Sequence, residues 1–160
     1  MFDLEELKFD PKIFAGEFGE KDVAETEELV GHKLPPEFIE FLKKYNGGIP
    51  EKKFFRLGEN TKVIDQFLAI ISNPENNPRS DLDIGYIYEM IEDRLDENLV
   101  PFCLIFPGDY LCFDYEKYEE PDIVLWNHDR SEEDAPEIVS VADDFEEFLT
   151  MLIDEKEASK

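Results

Sequence analysis

The stretch LPPEFIEFLKKYNGGIP, residues 34–50, decides how this chain is read. Phe38, Phe41, Leu42 and Tyr45 recur at i, i+3, i+4 and i+7, the spacing of one buried helix face. Pro35 or Pro36 falls in the first helical turn, where a missing N–H costs nothing. Asn46-Gly47 ends the run. One of the two adopts the left-handed conformation that satisfies the last carbonyls, and Gly does so without a Cβ clash. Gly48 and Pro50 then turn the chain away. Glycines that cradle a phosphate precede a helix, where free N–H groups point at the anion. Here they follow one, and no Lys-Ser/Thr pair comes after them. Leu34, Pro35, Asn46, Gly47 and Gly48 are therefore read as structural residues: a helix start and a helix stop.

Working outward, Val23, Thr26/Glu27 and Val30 have helical spacing before Gly31, which predicts a helix over about 21–30. Residues 53–57 and 62–71 read as strands around a Gly58-Glu59-Asn60 turn. A third helix is expected over about 82–95, capped by Ser80 or Asp81. In VPFCLIFPGDYLCFDY, residues 100–115, two β-rich runs flank Pro107-Gly108-Asp109. With the turn centred on Gly108-Asp109, Phe106 faces Leu111, Leu104 faces Phe113 and Ile105 faces Cys112. Both faces are then largely apolar, so the hairpin should be central. A strand with Trp126 follows from Asp122. Asp143-Asp144-Phe145-Glu146 resembles a capping box ahead of a last amphipathic helix with Phe145, Phe148, Leu149 and Leu152. The expected organisation is a single domain over 1–160: an N-terminal arm over 1–20, a core over 21–153 and a frayed tail over 154–160.

The 160 residues carry 41 Asp+Glu against 16 Lys+Arg, a net charge of −25, together with 14 Phe. The apolar content suffices for a packed core. The charge repels a phosphate backbone and an anionic lipid surface, so neither nucleic acid nor membrane is an expected partner. A basic protein would be attracted and steered. Residues 96–160 hold 20 of the acids and only 4 bases. The N-terminus shows no signal peptide, and the expected location is cytoplasmic, with thiols reduced.

Four blocks then resemble one family. They are Glu27-x-x-Val30-Gly31-x-x-Leu34-Pro35…Phe38…Phe41-Leu42…Tyr45-Asn46-Gly47-Gly48; Val100-Pro101-Phe102…Gly108-Asp109-Tyr110-Leu111-Cys112-Phe113-Asp114; Ile123-Val124-Leu125-Trp126-Asn127-His128; and Val141-Ala142-Asp143-Asp144-Phe145-x-x-Phe148-Leu149. In this order they are similar to the SUKH superfamily, the Smi/Knr-like domains. The resemblance implies an α+β fold, a mainly antiparallel sheet wrapped by helices at its N-terminal side and by a C-terminal helix. It implies either an immunity protein that neutralises a cognate toxin, a basic nuclease, by stoichiometric occlusion, or a regulatory protein-binding scaffold of the cell-wall-regulator type. Gly108, Asp109 and Trp126 join the structural set on this basis.

Chemistry finds little footing. Cys103 and Cys112 share a face in the register above but sit diagonally, about 7–8 Å apart at Cα, too far for a bridge. A Cys112/His128 nucleophilic pair lacks a third orienting group. Two His residues 96 positions apart make no metal pair. Asp81-Leu-Asp83-Ile-Gly85 has its Gly one residue early for a calcium loop. No catalytic residue, metal or cofactor is assigned. The binding candidates are the acidic runs DYEKYEEPD (114–122) and NHDRSEEDAPE (127–137). They supply Asp114, Glu116, Glu119, Glu120 and Asp122, then Asp129, Glu132, Glu133 and Asp134. The alternative for both runs is solvated loops that keep the chain soluble. Composition leaves the oligomeric state open.

Overall fold

A computed structural model of the protein describes residues 3–117, 119–128 and 138–160. Within them α1 (Glu20–Val30) and α2 (Pro36–Tyr45) precede strands β1 (Phe54–Leu57) and β2 (Asn60–Phe67). Helix α3 (Ile84–Ile91) leads to β3 (Leu99–Ile105), β4 (Asp109–Asp114), β5 (Asp122–Trp126) and β6 (Ile138–Ala142). Two short helices close the chain, α4 (Phe145–Thr150) and α5 (Glu155–Ala158). The strands form one sheet in sequence order, each pair antiparallel. This is the expected α+β architecture, with the β3–β4 hairpin at its centre.

Helix α2 begins at Pro36, with Pro35 as its cap, and buries Phe38, Phe41 and Leu42. Phe38 meets Phe102, Phe113 and Phe145 edge-on, with ring centroids 5.1–5.6 Å apart. Rings prefer this arrangement because the positive edge of one meets the negative face of the other. These contacts clamp α2 and α4 to one face of the sheet. The turn after α3 covers the opposite face, where the buried Trp126 donates its indole N–H to the Arg94 carbonyl at 3.3 Å.

The Asn46-Gly47-Gly48 turn is a structural hub. Gly47 takes the left-handed conformation, φ 69°, while Asn46 stays at φ −57°. The Asn46 side chain is fully buried and reaches two distant segments. Its amide NH₂ donates to the carbonyls of Gly16 (2.9 Å) and Ile70 (2.8 Å), and its Oδ1 accepts from the Ile70 N–H (3.0 Å). A side-chain amide thus does for Ile70 what a neighbouring strand would do. Strand β2 ends at Phe67 rather than at Ile71 as expected. In the buried run 68–71 the Leu68 N–H still reaches the Phe102 carbonyl of β3, Ala69 exchanges bonds with Leu82 and Ile84, and the Ile71 N–H is taken by the Asp83 carboxylate.

Several local expectations are corrected. The β1–β2 turn is two residues, Gly58-Glu59, since Leu57 pairs with Asn60. Helix α3 stops at Ile91 and continues only as a single tighter turn, 92–94. Its cap is Asp83, accepting from Tyr86 N–H at 3.2 Å, while Ser80 and Asp81 form a preceding tight turn. The cap of α4 is Asp144, which accepts from Glu147 N–H at 2.8 Å. The tail is docked rather than frayed. Ile153 pairs with Phe54 at the outer edge of β1, and the Arg56 side chain donates to the Glu157 carbonyl. An open strand edge invites foreign strands, and this segment covers part of it. The N-terminal arm packs as well, with Leu7 buried and Phe9 stacked on Tyr45 at 4.1 Å.

The hairpin register also differs from the expected one. Ile105 pairs with Asp109, Leu104 with Tyr110, Cys103 with Leu111 and Val100 with Phe113. Phe106, Pro107 and Gly108 form the connection, closed by Gly108 N–H on the Ile105 carbonyl at 2.8 Å. A register irregularity between Pro101 and Cys103 then absorbs one residue. Cys103 therefore shares the face of Leu111, while Cys112, the next residue along, points to the other. The thiols lie on opposite faces, not diagonally on one. Both are buried, and desolvation raises both thiol pKa values, further aided by the negative charges of Asp65 near Cys103 and Asp114 near Cys112. We expect neither to react with a thiol reagent at neutral pH until denaturant unfolds the chain. Stoichiometric labelling of the native protein would contradict this placement.

Candidate functional site

The first acidic run forms one wall of a cleft. Strand β4 ends at Asp114 and β5 begins at Asp122, and these two carboxylates sit directly opposite each other in the sheet. The loop between them is held by Tyr115. Its hydroxyl donates to the Lys33 carbonyl at 2.6 Å, its N–H donates to the Asn98 carbonyl at 2.9 Å, and its ring stacks on His32 at 4.3 Å. Burial, with a smaller push from the Glu27 charge, raises the hydroxyl well above its ordinary pKa, so it remains a donor.

The second wall is the α1–α2 link. Gly31 ends α1 in the left-handed conformation, φ 81°. The Leu34 N–H then donates to the Glu27 carboxylate at 2.7 Å, and His32 Nε2 lies 2.9 Å from the Glu97 carbonyl. The third wall is the first turn of α4, fixed by the Asp144 cap and the buried Phe145. Between them lies a cleft of about 890 Å³, lined by residues 31–37, 115–117, 119–121 and 144–146. Leu34, Pro35, Pro36, Pro121 and Phe145 supply apolar lining. Glu37, Glu116, Glu119, Glu120, Asp144 and Glu146 supply carboxylates, against Lys33 and Lys117.

Of the sequence candidates, Glu116, Glu119 and Glu120 line this cleft. Asp114 and Asp122 are half-buried in the strand pair at the loop's base and do not line it. Asp129, Glu132, Glu133 and Asp134 lie outside the described residues. Leu34 and Pro35, read as structural, are also cleft lining. Glu37, Asp144 and Glu146 are not among the sequence candidates, because each belongs to a helix start, where an acid is explained by the cap or the dipole alone.

The remaining structural residues lie elsewhere. Asp109 is buried, and its Oδ1 accepts from the His128 N–H at 3.0 Å and contacts the His128 ring. A Cβ on Gly108 would stand 3.3 Å from that ring. Cys112 is fully buried opposite Val124, whereas the His128 ring lies beyond the end of β5 against Asp109 and Gly108. The two therefore make no nucleophile–base pair. Asp83 is spent on the α3 cap, so the calcium-like spacing serves a helix. Among the described residues no three His, Cys, Asp or Glu side chains cluster to hold a metal ion, and no helix is long and apolar enough to cross a membrane.

Comparison with known proteins agrees with this fold. The SPbeta prophage-derived uncharacterized protein YokK of Bacillus subtilis (strain 168) is 25% identical over 171 aligned positions, covering 95% of this chain and 83% of that protein. The family model SUKH_6, described as SMI1-KNR4 cell-wall, matches residues 20–149, which span all three walls of the cleft and the hub at Asn46. The chain belongs to the SUKH family.

Proposed function

We propose that this protein is an immunity protein that binds a cognate toxin, a basic nuclease, and neutralises it by stoichiometric occlusion in the cytoplasm. The observation that carries this reading is the cleft, in which one acidic loop and two helix starts bring six carboxylates around an apolar lining. Carboxylates can stand where substrate phosphates would bind a basic nuclease, and the net charge of −25 steers the encounter. No catalytic step, cofactor or metal is needed, and neither nucleic acid nor membrane is a partner. The family description favours a second reading, a regulatory protein-binding scaffold of the cell-wall-regulator type.

The test is to capture the partner from native cells and express it alone and with this chain. The immunity reading expects a growth defect that co-expression relieves, and loss of the partner's activity at equimolar ratio in vitro. A harmless partner points to the scaffold. A toxic partner that keeps full activity under excess of this chain overturns the immunity reading.

Association should slow as salt rises, since the Debye length falls from about 10 Å at 0.1 M to about 3 Å at 1 M. The triple change Glu119→Gln, Glu120→Gln, Asp122→Asn should lower the on-rate by about tenfold at low salt. It should not unfold the chain, because it also removes the Asp114–Asp122 like-charge pairing. An on-rate indifferent to both salt and this change would assign the acidity to solubility alone.

A further inference from the structure

The lining of the cleft narrows the partner chemistry beyond "basic", resting on the binding reading above. We propose that the cleft is an arginine-receiving groove, taking an extended guanidinium-bearing segment of the partner in preference to a lysine-bearing one. Three features converge on this. The buried Leu34, Pro35, Pro121 and Phe145 form an apolar floor and the exposed Pro36 an apolar rim, along which an alkyl stem can lie. The Tyr115 ring lines the same space and cannot swing away, because its hydroxyl is tied to Lys33 and His32 is stacked against it. A planar, weakly hydrated cation lies well against such a ring.

The third feature is the set of carboxylates. Glu116, Glu119 and Glu120 come from one loop, and Glu37 and Glu146 from the first turns of α2 and α4. A guanidinium fork engages carboxylates with paired hydrogen bonds, whereas an ammonium acts as a compact, strongly hydrated point charge. Lys33 and Lys117 also line the cleft and weaken its field, yet carboxylates outnumber them six to two. An anionic occupant is disfavoured by the same count, and Glu37 in the first turn of α2 offsets the positive end of that helix.

The test uses two fluorescein-labelled hexapeptides of equal charge, with three Arg or three Lys alternating with Leu. Their binding to the full chain is followed by anisotropy in 0.15 M salt. The Arg peptide should bind at least about fivefold more tightly than the Lys peptide. Glu119→Gln with Glu120→Gln should weaken the Arg peptide by about tenfold. Glu59→Gln with Glu75→Gln removes the same charge at the β1–β2 turn and in the loop after β2, and should weaken it by less than about twofold. Equal affinity for the two peptides, or equal loss from the two double variants, overturns the groove and leaves only diffuse charge attraction. If the chain neutralises its toxin while the peptides fail these criteria, this inference falls and the immunity reading stands. If the peptides meet them while the captured partner is harmless, the groove stands and the immunity reading falls.

Discussion

Asn46→Leu should lower the stability of this protein by about 4 kcal/mol, close to the upper end of what single substitutions do. Leucine keeps the volume and removes every polar atom. It leaves three backbone groups without their partner: the N–H and carbonyl of Ile70 and the carbonyl of Gly16. Each buried polar group left unpaired costs about 1–3 kcal/mol. Among the described residues no strand pairs with Ile70 to take over, since β2 ends at Phe67 and its last bond to β3 is made by Leu68. Asn46→Asp should recover little. It keeps an acceptor for the Ile70 N–H but turns a carboxylate oxygen toward two carbonyls. Urea unfolding checks both variants through the shift in midpoint at constant slope. A loss under about 1 kcal/mol for the leucine variant would show that water satisfies these groups instead.

Gly47→Val should cost about 3 kcal/mol, for two separable reasons. The residue sits at φ 69°, where a side chain meets the following carbonyl at a cost of about 1–2 kcal/mol. The new Cβ would also stand 3.1 Å from the Ala15 Cβ and 3.2 Å from the Leu82 Cδ1, and overpacking adds about 1–3 kcal/mol. Gly58 provides the control. It has a similar φ of 63°, but nothing lies within 4 Å of its Cβ position. Gly58→Val should therefore show the backbone part alone, about 1 kcal/mol. Equal losses at the two sites would refute the packing argument. Binding in the cleft should be unaffected at both. The cleft lies at the N-terminal end of α2 and Gly47 at its C-terminal end, and ten residues of helix span about 15 Å.

How much of this was legible beforehand follows from the range of each interaction. The periodicity of Phe38, Phe41, Leu42 and Tyr45, the Pro pair before it and the Gly after it are contacts within one helix, and they read correctly from the chain. The hairpin is legible in the sequence, but its register is not. Period-2 alternation selects a register only when one face is polar, and β3 and β4 are apolar on both. The turn closure at Ile105 and the irregularity near Phe102 then settled the pairing. In the same way Asn46 announced a helix stop, while its partners lie 24 and 30 residues away and leave no local mark.

The sequence by itself determined most of the helices and strands and the uneven acidity, because these rest on side-chain periodicity and charge counted along the chain; the α+β class comes with the family resemblance, and β6 is not among the expected strands. Only the tertiary structure decided which carboxylates act together. Glu37, Glu116, Glu119, Glu120 and Glu146 are spread over 110 residues and come from two helix starts and a loop. They share one cleft because the aromatic clamp holds α2 and α4 on the same face of the sheet, while Tyr115 ties the β4–β5 loop to Lys33. No spacing rule encodes that meeting, since it depends on where three separately stabilised segments are packed.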